Sequence, residues 1–119
     1  MSGEPNWVAG PALDRISANA VDGDPGVITY TQWLNERGGI EADLTVTRES
    51  QDRYLIVTAA ATQTRDYTYL KDHIGKDERA AVIDVTSGSA VLSIMGPNSR
   101  ALLQSLTTTD MSNEAFPFG

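Results

Sequence analysis

Tyr30-Thr31-Gln32-Trp33-Leu34, Asn35-Glu36-Arg37-Gly38-Gly39 and Ile40-Glu41-Ala42-Asp43-Leu44-Thr45-Val46 follow one another without a break. The outer two segments are rich in β-branched and aromatic residues, and the middle one carries a Gly-Gly pair. Residues 27–34 and 40–47 therefore read as an antiparallel hairpin closed by a longer loop. Along the second strand, period two sets Ile40, Ala42, Leu44 and Val46 on one face and Glu41, Asp43, Thr45 and Thr47 on the other. Asp43 is thereby predicted to face away from the core. Periodicity alone reads it as a solvated strand carboxylate.

Outward from the hairpin, the spacing alternates between helical and strand periods, which indicates an α+β fold. Residues 11–20 open with Pro11 and place Leu13, Ile16 and Ala20 on one helical face. Asp22-Gly23-Asp24-Pro25-Gly26 breaks that helix. Residues 53–58 add a strand, and Tyr67, Leu70 and Ile74 give residues 62–74 a helical spacing closed by Gly75. Residues 81–86 and 90–95 read as a second hairpin around Ser87-Gly88. A last helix follows Gly96-Pro97-Asn98 and carries Leu102, Leu103 and Leu106. The expected fold is an antiparallel sheet of about five strands with two to three helices, built from two αββ-like units. Val8-Ala9-Gly10-Pro11 and Ile94-Met95-Gly96-Pro97 mark the two starts, although Gly-Pro is also an ordinary strand-to-helix connector.

At 119 residues the chain is long enough for one small domain. Its net charge of −7 and nine scattered basic residues argue against a nucleic-acid partner, which needs clustered Lys and Arg. The absence of cysteine removes disulfides, thiolate metal sites and thiol nucleophiles, and a single histidine excludes a polyhistidine zinc centre. No apolar run approaches a membrane span and no basic-then-apolar leader opens the chain, so no membrane partner is expected.

The block 35–46, together with Ser112-Asn113-Glu114-Ala115-Phe116-Pro117-Phe118-Gly119, resembles the folate-binding aminomethyltransferase domain. That domain occurs in the glycine-cleavage T-protein and in the C-terminal part of dimethylglycine and sarcosine dehydrogenases. The resemblance runs from about residue 8 to residue 119, and domains of that family are several times longer. It implies an N-terminal piece of such a domain, with the rest of a parent polypeptide as its partner. It further implies a flavin-dependent N-methylamine oxidoreductase that passes a one-carbon unit to tetrahydrofolate, forming 5,10-methylenetetrahydrofolate. FAD would belong to a separate region of that parent, and the isolated chain would be inactive. The implied compartment is the bacterial cytoplasm, or the mitochondrial matrix in a eukaryote.

The resemblance also implies roles for particular residues. Asp43 falls on the acidic position that contacts folate and takes part in one-carbon transfer, where a carboxylate stabilises developing positive charge and steers a departing proton. Tyr30 matches the family's Tyr-Thr element and would offer a stacking ring and a hydroxyl, though such a tyrosine is as readily sheet surface. Gly38 and Gly39 form the adjoining turn, and Glu114 lies in the second family block. Ala59 stands where T-protein domains often carry an asparagine beside the folate. That departure tilts the reading from T-protein towards the dehydrogenase branch. It also keeps open a non-catalytic folate- or protein-binding module of the same fold, and, without the resemblance, a plain α+β interaction domain.

Other residues carry less. His73, four residues after Tyr69, reads as a helix-capping or half-exposed side chain. Asp22 and Asp24 lack the oxygen spacing and closing glutamate of a calcium loop. Gly38-Gly39 is not followed by the Lys-Ser or Lys-Thr of a phosphate loop, and Ser87 has no base partner.

Overall fold

The computed structural model describes residues 9–118. Val8 and Gly119, at the two ends of the family resemblance, lie outside the described residues. The chain divides into two units, one up to Asp84 and one from Val85 onward.

The first unit is a three-stranded antiparallel sheet with two helices. Its elements are helix α1 (Ala9–Ile16), strands β1 (Ile28–Leu34), β2 (Ile40–Ser50) and β3 (Arg53–Val57), and helix α2 (Gln63–His73), in that order. The strands lie side by side in sequence order. In the ladder Gln32 faces Asp43, Tyr30 faces Thr45 and Thr31 faces Leu44, and Val57 on β3 faces Thr45. A bulge between Trp33 and Leu34 brings Leu34 opposite Ile40.

Period two explains the two faces of the sheet. Thr31, Trp33, Ala42, Leu44 and Val46 are buried on the inner face, where Tyr54 and Ile56 pack beside them. Leu13 and Ile16 of α1 and Leu70 of α2 join the same cluster, so both helices cover this face. Full burial of each such aliphatic side chain contributes roughly 1.5–3 kcal/mol. Trp33, 1% exposed, stacks on Tyr69 of α2 with ring centroids 5.4 Å apart. The Tyr69 ring then stacks on exposed His73 at 3.9 Å.

Helix α1 stops four residues short of the predicted end. Beyond Ile16 the backbone turns to pair with β1: Ser17 bridges Trp33, and the Ala18 amide donates to the Gln32 carbonyl at 2.9 Å. Ala20 is therefore exposed, outside any helix. Gly10 is required for packing, because a Cβ there would sit 2.5 Å from the Tyr54 hydroxyl. The loop at 22–26 is clasped by Arg48, whose guanidinium donates to the carbonyls of Asp22 and Gly23 at 2.8 and 2.7 Å.

Three strands form among the described residues, not the five expected, and the second αββ unit has no sheet. Residues 81–95 hold only a short 3-10 turn, Thr86–Gly88. Val82 packs at the edge of the core cluster, but Ile83, Leu92 and Met95 are 76%, 85% and 87% exposed. The alternating pattern is present, but a strand needs a hydrogen-bonded neighbour, and no strand forms in this segment. The second unit does contain the expected last helix, α3 (Ser99–Gln104). Its order comes from polar clasps: Arg100 Nη1 donates to the carbonyls of Met111 and Ser112 at 2.8 and 3.3 Å, and the Gln104 side chain bonds Thr107, Thr109 and Met111.

Candidate functional site

The inner face of the sheet is covered, so the outer face is where side chains meet solvent. Tyr30, Gln32, Asp43, Thr45, Leu55 and Val57 share it, as the ladder register and burial pattern require. Asp43 is exposed, as the strand period predicts.

Its carboxylate is nevertheless held. Gln32, directly across the ladder, donates Nε2 to Asp43 Oδ1 at 3.0 Å. Tyr30, two residues back along β1, presents its hydroxyl on the same face. Donation from Tyr30, then from Gln32, holds the Asp43 carboxyl below its usual range, since both bonds favour the ionised form. The reciprocal effect raises the Tyr30 hydroxyl, first through its hydrogen bond to Asp43 and then through desolvation and the neighbouring charge. The result is an ionised, oriented carboxylate beside an aromatic ring 58% exposed.

The turn that joins the strands is built by Asn35. Its Oδ1 accepts the amides of Arg37 and Gly39 at 3.0 and 2.9 Å, and its Nδ2 donates to Glu41 Oε1 at 2.8 Å. Gly38 adopts φ +77°, a conformation glycine takes without strain, and a Cβ on Gly39 would sit 2.8 Å from Asn35 Nδ2. Both glycines are thus explained by the geometry of the loop that sets the register of Asp43.

Among the remaining expected site residues, Ala59 lies two residues past Val57, whose ladder partner Thr45 lies two residues past Asp43. Ala59 follows β3 in extended conformation, and its carbonyl accepts the Thr62 amide at 3.0 Å. Glu114 is exposed in a turn of the second unit, in the segment that Arg100 clasps. His73 ends α2, with its Nδ1 2.8 Å from the Tyr69 carbonyl. A groove bordered by Ala60, Gln63, Thr68 and Tyr69 contains none of these residues. Among the described residues no group of acidic or histidine side chains could hold a metal, and no helix is long and apolar enough to cross a membrane.

Asp66 escaped the sequence reading. It is 3% exposed and accepts hydrogen bonds from Thr58 Oγ1, from Thr62 Oγ1 at 2.6 Å and from Arg65 Nε at 3.1 Å. Burial alone would raise its carboxyl, but these three donors outweigh it and hold it below the usual range. The four-residue spacing of Thr58, Thr62 and Asp66 was a visible signal. Its donors are satisfied internally, and it ties the end of β3 to the first turn of α2.

The fold and the outer face define an α+β domain that presents a fixed carboxylate and an aromatic ring on an open sheet. The chain belongs to the GCVT N-terminal domain family, which matches residues 7–119. It is 43% identical over 112 residues to the 4-methylaminobutanoate oxidase (formaldehyde-forming) of Paenarthrobacter nicotinovorans, covering 91% of this chain and 14% of that protein. It is 34% identical over 121 residues to mitochondrial sarcosine dehydrogenase of Mus musculus, covering 90% and 13%. To the aminomethyltransferase of Geobacillus thermodenitrificans it is 33% identical over 103 residues, covering 86% and 28%. The chain thus spans about one seventh of the length of the first two relatives.

Proposed function

We propose that this chain forms part of a single tetrahydrofolate-dependent one-carbon transfer domain within a flavin-dependent N-methylamine dehydrogenase. The observation that carries this reading is the Tyr30–Asp43–Gln32 cluster on the exposed sheet face of a GCVT-family domain. The donor set suits a reduced pterin. A flat ring can lie against Tyr30, and its N–H groups can meet an ionised acceptor.

When bound, tetrahydrofolate supplies the nucleophilic amine that receives the one-carbon unit, and the product is 5,10-methylenetetrahydrofolate. The chain's own contribution is electrostatic and steric. Asp43, held ionised, stabilises positive charge near the reacting nitrogen and accepts or steers its proton. Tyr30 offers its ring as a wall. Gly38 and Gly39 allow the tight turn that fixes β2 beside β1. Ala59 belongs to the same proposed pocket through its family position.

The dehydrogenase branch is favoured over the T-protein by the 43% identity to an N-methylamine oxidase, and by Ala59 in place of asparagine. FAD would then bind elsewhere in the parent polypeptide. The 33% identity to an aminomethyltransferase supports the second reading, a T-protein-type transfer without flavin. A bacterial cytoplasm or a mitochondrial matrix suits either.

Amide NMR of the labelled chain, with tetrahydrofolate added under reducing conditions, tests the proposal. Shifts at Tyr30, at residues 38–43 and near Ala59, lost in Asp43→Ala, are the expected result. A dispersed spectrum that tetrahydrofolate leaves untouched counts against a folate subsite on this face. Weak binding is expected, because pockets bury most of a small ligand and an open sheet face does not.

A further inference from the structure

Asp43 is exposed, yet its carboxylate is held. Tyr30 offers ring surface on the same face, whereas the Gln32 amide has Asp43 as its hydrogen-bond partner directly across the ladder at 3.0 Å. A cross-strand neighbour is well suited to this task, because the register fixes the distance between the two Cβ atoms and leaves only side-chain torsions to be set. An ionised carboxylate has about four acceptor positions, so the Gln32 donor orients it and leaves capacity for an incoming N–H.

The geometry points to Gln32 as a positioning residue for Asp43: its amide fixes the carboxylate so that the unoccupied acceptor positions face a ligand N–H group. The inference rests on the reading of Asp43 given above and adds the residue that orients it. Few other charges bear on Asp43 from the same face. Glu41 is engaged by Asn35 at 2.8 Å, and Arg53, towards the opposite end of β3, is paired with Glu49 at 2.7 Å. Tyr30 is the other titratable group in contact.

The experiment is a carbon-detected NMR titration of the Asp43 carboxyl in the whole chain, comparing the parent sequence with Gln32→Leu and Gln32→Glu. Gln32 is half-buried on the outer face and contributes nothing to the buried cluster, so both variants should fold. The titration midpoint should rise in Gln32→Leu, which removes a donor to the ionised form, and rise further in Gln32→Glu, which adds a like charge. Tetrahydrofolate, followed by the same amide shifts as above, should bind roughly tenfold more weakly to Gln32→Leu, the loss of about one hydrogen bond to a charged group. A purely structural role would leave the Asp43 midpoint in place. Unchanged midpoints in both variants, with dispersed spectra, overturn the inference. Raised midpoints with no response to tetrahydrofolate in any of the three proteins uphold the hold of Gln32 on Asp43 and overturn the folate reading instead.

Discussion

Residues 28–57 and residues 81–95 carry the same kind of sequence, short runs of β-branched and aliphatic residues broken by a small polar turn, and they end in opposite states. In the first region Ala42, Leu44 and Val46 of β2 are buried, Val46 being 1% exposed, while Ile40 at the start of the strand is 68% exposed. In the second, Val91 and Leu92 are 80% and 85% exposed, and no ladder forms among the described residues. The difference lies in what stands opposite. The first region has its own antiparallel neighbours and two helices to cover one face, and Asn35 builds the turn that sets its register. A strand's backbone groups are satisfied by its neighbours and its side chains by a second layer, so alternation without both is only a capacity.

Five substitutions can break or sharpen that contrast. Trp33→Ala removes the largest fully buried ring and its stack on Tyr69, and should lower stability by about 3–5 kcal/mol in urea unfolding followed by circular dichroism. Leu44→Ala should cost about 2–5 kcal/mol in the same measurement. Its counterpart Leu92→Ala should change stability by less than about 0.5 kcal/mol. A comparable loss at Leu92 would show that 81–95 is buried in solution and would dissolve the comparison.

Asp66→Asn probes the polar tie between β3 and α2, at a cost of about 1–3 kcal/mol at neutral pH. The folded Asp66 carboxyl lies below its unfolded value, so its contribution is complete above the ordinary carboxylate range near 3.9. It is lost as pH falls through the folded value. The stability difference between Asp66→Asn and the parent should therefore narrow on acidification, and a gap that stays constant to low pH would remove Asp66 as an acid-labile tie. An equally small effect on stability is expected at Asp43→Ala. This exposed side chain should alter unfolding by less than about 0.5 kcal/mol while abolishing any response to tetrahydrofolate, which separates function from fold on one strand.

The candidate site was legible in part. The strand period placed Asp43 on the open face, and the Gly-Gly pair located its turn. Gln32 was not singled out, because its importance depends on the register that sets it opposite Asp43, and register is a relation between two strands. Asp66 was missed for a related reason: it looks like an ordinary charged residue in the first turn of a helix until Thr58, from the end of β3, is folded against it.

What the sequence determined by itself is local and periodic: the hairpin at 27–47, the turn its glycines permit, the α2 stripe ending in Leu70, and the side of β2 on which Asp43 stands. These follow from side-chain alternation and backbone sterics, which act over a few residues. Tertiary structure decided where α1 stops, because Ser17 and Ala18 pair with β1 in place of another helical turn. It also decided that Asp43 is held by Gln32, and that no strand forms in residues 81–95. Each of those outcomes turns on partners distant in sequence, whose hydrogen bonds and buried contacts exist only once the chain is folded.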